Sequence, residues 1–184
     1  MHDNDTIPLE RSVFLCGYRG SGKTSAALQL ASLLNCSWVD TDDLIEAKAA
    51  QSIADIFAQQ GESGFRDIES DVIQSVTGQS PQVVALGGGA VLRESNRQRI
   101  KASGNVFWLS APATVLAARI SGDIATGSRR PSLTGRGVEE EVREVLSQRE
   151  PIYREASHHT IDVSTRSPDE VAQEIIRTLG LEPG

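Results

Sequence analysis

Between the apolar run Ser12-Val13-Phe14-Leu15-Cys16 and a helical pattern that begins at Lys23 lies the octet Gly17-Tyr18-Arg19-Gly20-Ser21-Gly22-Lys23-Thr24. A short, continuous apolar run closed by glycine reads as a buried strand. After the octet, Ala27, Leu30, Ala31 and Leu34 recur at helical spacing. The octet fits G-x-x-x-x-G-K-[ST]. Its glycines let the backbone curl until successive N–H groups point inward at phosphate oxygens. Lys23 supplies a point charge for the β and γ phosphates, and the Thr24 hydroxyl can ligate Mg²⁺. The N-terminus of the helix faces the same anion. A glycine turn with a fortuitous Lys-Thr is the plainer alternative. The strand directly before and the helix directly after favour an ATP-binding phosphate loop.

Further apolar runs stand at 37–39, 82–86, 105–109 and 159–163. Helical patterns separate them, including one stretch reaching about residue 77 and others at 112–121, 138–150 and 168–179. Asp40 to Asp43 can cap one helix, and Ser52 the helix of Ile53 to Phe57. Strands alternating with helices along a chain of 184 residues predict βαβ units and one domain with a mostly parallel sheet, covered on both faces. The poorly patterned stretch 122–137, rich in Gly, Ser, Thr and Arg, is read as a mobile lid.

A net charge of −7 argues against a nucleic-acid partner, which needs a basic surface or stripe. Only three of the 18 basic residues are lysines; arginine suits bidentate contact with phosphate or carboxylate, although genome composition is the plainer and better explanation of such a bias. The acidic N-terminus carries no secretory signal, and no run approaches the ~20 apolar residues of a membrane span. A cytoplasmic location follows by default, with Cys16 and Cys36 reduced and buried. His158 and His159 read as surface groups, Trp38 and Trp108 as core, and Glu139 to Glu141 as acids suited to a helix start.

Phosphate loops serve motors, switches and kinases alike. The guanine-reading strings Asn-Lys-x-Asp and Thr-Lys-x-Asp do not occur, which speaks against a GTPase. The third apolar run meets Gly87-Gly88-Gly89 instead of an aspartate. Asp40, closing the second run, is therefore the candidate carboxylate for Mg²⁺, with an ordinary loop acid as the alternative. Ligands of open α/β sheets bind at the carboxyl ends of the strands, so Asp40, Asp42 and the glycine triplet should face the phosphate loop.

From about residue 12 to 178 the chain resembles the shikimate kinase family, within the nucleoside-monophosphate-kinase-like phosphate-loop proteins. The resemblance rests on the octet, Asp40-Thr41-Asp42, Ser52 to Phe57, Gly64-Phe65-Arg66 with Glu69, Leu86 to Ala90, Arg130-Pro131 and Arg149-Glu150-Pro151-Ile152-Tyr153. It implies a three-layer α/β/α fold with a five-stranded parallel sheet of order 2-3-1-4-5, a core of about 11–180, a substrate-binding helical segment near 42–78, and a lid near 122–137. It also implies ATP-dependent phosphorylation of the 3-hydroxyl of shikimate, in aromatic amino-acid biosynthesis, by a chain working as a monomer. Carried onto this sequence, Gly20, Ser21, Gly22, Lys23, Thr24, Ser25 and Arg166 hold ATP, with Arg166 on the adenine side. Thr24 and Asp40 serve Mg²⁺. Asp42 meets the shikimate hydroxyls and acts as base, Arg66 and Arg149 hold its carboxylate, and Gly88 and Gly89 complete the pocket. Lys23, Asp42 and the lid residue Arg130 are the catalytic set. Where the family continues Arg-Pro-Leu-Leu, this chain has Arg130-Pro131-Ser132-Leu133, and the adjacent Arg129 leaves two arginines for one role.

The residues alone allow other readings. Arg66 can be a helix-surface arginine paired with Asp67 or Glu69, and Asp42 a helix N-cap. A kinase for gluconate or a nucleoside monophosphate, or a non-catalytic ATP-dependent switch, would use the same loop.

Overall fold

Every residue of β1 (Ser12–Cys16) is buried, which is why the strand reads as continuous rather than alternating: both of its faces are covered. The computed structural model describes residues 9–122 and 137–181. β1 is the centre of a five-stranded, all-parallel sheet of order β2-β3-β1-β4-β5, with β2 at Trp38–Asp40, β3 at Val83–Ala85, β4 at Gly104–Ser110 and β5 at His159–Asp162. The register sets Phe14 between Val84 and Val106. The expected order is thus observed.

The crossovers are helical: α1 (Lys23–Leu34), α2 (Thr41–Ala49), α3 (Ile53–Thr77), α4 (Glu94–Ser103), α5 (Ala113–Gly122), α6 (Val138–Ala156) and α7 (Pro168–Leu179). Helix α1 packs against α7, whereas α4 packs against α3, α6 and β4. The sheet is therefore sandwiched, as long parallel sheets require.

Three local features position the site. α3 is broken at Gly61, whose φ of 68° and ψ of −173° lie in a region taken essentially by glycine alone. Phe57 and Phe65 stack across the break, centroids 4.6 Å apart, and fix the angle at which the second half carries Arg66 inward. Secondly, Asp40 is both the last residue of β2 and the N-cap of α2: its Oδ1 accepts the Asp42 N–H at 2.9 Å. Asp40, not Asp42, is therefore the cap. Thirdly, the helix expected over 138–150 continues through Pro151 to Ala156. Proline removes the N–H that would bond to the Ser147 carbonyl; both residues are exposed, so water can satisfy that carbonyl.

Trp108 is buried as expected, but Trp38, on the edge strand, is only half-buried. The lid residues 123–136, with Arg129, Arg130 and Arg136, lie outside the described residues.

Candidate active site

The turn from β1 into α1 is built for an anion. Gly22, the N-cap of α1, has φ 82°, and a Cβ there would meet nothing within 4 Å, so glycine is needed for its backbone angle. Gly17, with φ 144°, is also confined: a Cβ would come within 2.6 Å of the Leu109 carbonyl oxygen. Asp40, Ser52 and Ser167 cap α2, α3 and α7 with their side chains; α1 has no side-chain cap and no acid in its first turn. Its N-terminal N–H groups are left for a ligand such as phosphate. The Lys23 ammonium donates to the carbonyls of Gly17 and Tyr18, both at 3.0 Å, and spans the loop. Ser21 Oγ is buried with no hydrogen-bond partner among the described residues.

Beside the loop, the Thr24 hydroxyl donates to Asp40 Oδ2 at 2.7 Å. A cleft of about 250 Å³ continues from Gly20 and Ser25 to Arg119, Arg166 and Pro168. Arg166 pairs there with Glu174 at 3.1 Å. Arg119 donates to the Val163 carbonyl at 2.7 Å, in the cleft wall just past the end of β5.

On the other side of the loop, the glycine triplet is moulded to two charged side chains. A Cβ on Gly87 would overlap Asp42 Oδ1, and one on Gly89 would overlap the Arg66 guanidinium. The Gly87 N–H donates to Thr41 Oγ1 at 2.8 Å, which fixes the triplet against α2. Arg66 is 9% exposed. Its Nη1 bonds Glu69 at 2.7 Å, its Nη2 approaches Glu62 at 3.4 Å, and its guanidinium lies 5.1 Å from the Phe65 centroid. The pairing with Glu69 that the sequence allowed is real, but it is buried, and Asp67 pairs with Arg93 instead. Arg149 lies 5.9 Å from the centroid of the Tyr18 ring, within the phosphate loop itself.

A family model described as shikimate kinase matches residues 19–180. The chain belongs to the shikimate kinase family. A shikimate kinase of Rhodopirellula baltica is 46% identical over 95% of this chain and 93% of its own length. The solved shikimate kinase from Acinetobacter baumannii, in complex with shikimate, superposes with a TM-score of 0.86 at 33% identity, covering 93% of each chain. A gluconokinase from Sinorhizobium meliloti, at 15% identity and a TM-score of 0.55, shares the fold alone. The chain is accordingly a phosphotransferase of the shikimate kinase family, with ATP as the phosphate donor.

Three features around this family's site escaped the sequence reading. Arg19 bonds Glu141 at 3.2 Å, and the Glu141 side chain is only 2% exposed. Glu141 is thus no simple helix-start acid; it ties the phosphate loop to the first turn of α6. Its stripe on α6, with Val145, Arg149 and Tyr153 at successive i+4 positions, is the signal that would have separated it from Glu139 and Glu140. Arg119 sits among Leu116, Ala117 and Ile120 on α5, and nothing in its surroundings marks it as facing the cleft. Tyr153, fully buried, donates its hydroxyl to the Gly88 carbonyl at 2.6 Å. Burial pushes the Cys16 thiol up to about 12, against the lowering effect of Lys23, which makes it an inert core group.

Proposed function

We propose that this chain transfers the γ-phosphoryl group of ATP to the 3-hydroxyl of shikimate, giving shikimate 3-phosphate and ADP for aromatic amino-acid biosynthesis. One observation carries the reading of the acceptor side: Asp42 and Arg66 converge on a glycine triplet that has room for them only because it lacks side chains. A carboxylate and a guanidinium gathered on one glycine turn suit an acceptor with a hydroxyl to activate and a carboxylate to grip.

In the proposed reaction the 3-hydroxyl oxygen attacks the γ-phosphorus, the bond to the β–γ bridging oxygen breaks, and ADP leaves. Asp42 takes the hydroxyl proton. Arg66 and Arg149 hold the acceptor carboxylate, and the backbone of Gly88 and Gly89 completes its pocket. The loop N–H groups of Gly20 to Thr24, with Ser25, cradle the phosphates, while Lys23 stabilises charge developing on the transferred group. Arg166 borders the adenine side, joined there by Arg119. Arg130 is assigned to the lid over 122–137, whose closure keeps water from the γ-phosphate.

Mg²⁺ fits the residues present. The described residues contain no cluster of three His, Cys, Asp or Glu suited to a metal. Thr24 and Asp40 offer adjacent hard oxygens, as suits a cation held mainly by phosphate and water. It would supply charge neutralisation at the β and γ phosphates. We further assign the chain a single kinase domain, with the acceptor segment at 42–78, acting as a cytoplasmic monomer without nucleic-acid or membrane partners. No helix among the described residues is long and apolar enough to cross a membrane.

ADP release measured with shikimate, gluconate and nucleoside monophosphates as acceptors tests the proposal. Turnover is expected with shikimate alone, and its absence there would refute the reading.

A further inference from the structure

Tyr153 is the largest of the fully buried side chains among the described residues, yet its hydroxyl reaches across the fold to the backbone of the glycine triplet. The carbonyls of Gly87 and Gly89 accept the N–H groups of Ala90 and Leu92 at 3.0 Å each. The Gly88 carbonyl, between them, is the one that the phenol takes. In a trans peptide the C=O and the following N–H point in opposite directions. A phenol drawing the Gly88 oxygen inward therefore turns the Gly89 N–H outward. That N–H donates to no backbone acceptor among the described residues. Gly89 is also the residue whose missing side chain makes room for Arg66. A peptide flanked by two glycines has little steric resistance to rotation of its plane, so its direction has to be imposed from outside.

The same helix carries Arg149 one turn earlier, with its guanidinium against both the Tyr153 phenol and the Tyr18 ring. Burial, opposed by Arg149, raises the phenol to about 12, so it stays a donor at any working pH. Trp108 stacks on the ring with centroids 6.0 Å apart.

We propose that Tyr153 is a positioning residue whose hydroxyl locks the Gly88–Gly89 peptide with the Gly89 N–H facing the acceptor, as a donor to one of its oxygens. This inference rests on the acceptor assignment made above. Y153F keeps the ring and deletes the bond to Gly88 together with the phenol's contact with Arg149. It is expected to raise the KM for shikimate about tenfold while kcat falls less than about threefold and the KM for ATP stays within about twofold. W108F disturbs the packing of the same ring and should lower Tm without moving the shikimate KM. An unmoved shikimate KM in folded Y153F, or a parallel rise of both KM values in both variants, would overturn the proposal. Should Y153F not fold, the wild-type protein provides the test: the Gly89 amide resonance should shift on saturation with shikimate alone, and an unmoved resonance refutes the role. Wild-type protein inactive on shikimate would instead overturn the acceptor assignment itself.

Discussion

The proposed donor and acceptor sides of this site are built on opposite plans. The phosphate loop is eight consecutive residues, shaped by its own glycines and by the strand and helix that flank it. The acceptor side is assembled from α2, α3, the turn after β3, and α6, and it exists only once the parallel sheet has brought those segments to one edge. A contiguous site depends on local backbone angles; an assembled one depends on packing between elements. The two should therefore fail differently when single groups are removed.

Lys23→Ala is expected to produce the largest loss, about three orders of magnitude in kcat, because a charge serving the transition state disappears. Steady-state ADP release measures it, and near-normal turnover would mean that the loop N–H groups suffice alone. Next comes Arg66→Ala, which should lower kcat/KM for shikimate about 100-fold through lost charge-assisted bonds. Calorimetric titration of ATP should remain close to wild type; lost ATP binding would make Arg66 a structural residue and erase the separation between the two sides.

Glu141→Gln probes one of the struts that cross that separation. Neutralising a buried partner of Arg19 should cost about 2 kcal/mol of stability in denaturant unfolding. It should also raise both KM values modestly, because α6 carries Arg149 as well. A change confined to the ATP side would sharpen the division. The smallest effect belongs to His158, remote from both sides. Its Nδ1 accepts the Val106 N–H at 3.0 Å, and burial, then the nearby Lys101 charge, lowers its pKa below the ordinary 6.5. A group that stays neutral in the fold contributes stability at pH above its unfolded value, and that contribution is lost as the pH falls below it. His158→Asn, which can still accept the N–H, should flatten the decline in stability between about pH 7 and about pH 5 without altering either KM.

The same contrast explains what could be read from residues alone. The strand-loop-helix of residues 12–34 was legible as a string, since its physics is local. The strand order was not: it came through the family resemblance, because periodicity does not say which strands are neighbours. Asp40 stood undecided between loop acid and metal-side carboxylate, for its contact with Thr24 is made through a crossover. Glu141 was hidden among three identical acids, and only helix phase turns one of them inward. Arg66 displayed its ion pair with Glu69 in the sequence but not its burial, which depends on the bend at Gly61.

Asp40 gives one carboxylate oxygen to the Thr24 hydroxyl and the other to the N–H of Asp42, in the first turn of α2. For a lineage under selection to change its acceptor, positions 66 and 149 can drift one codon at a time with the donor loop untouched. Position 40 has no such liberty: a mutation there would reach Thr24 and the turn that carries Asp42, the proposed partners of both substrates, in one step. Directed evolution of acceptor preference should therefore leave this aspartate intact and randomise around it.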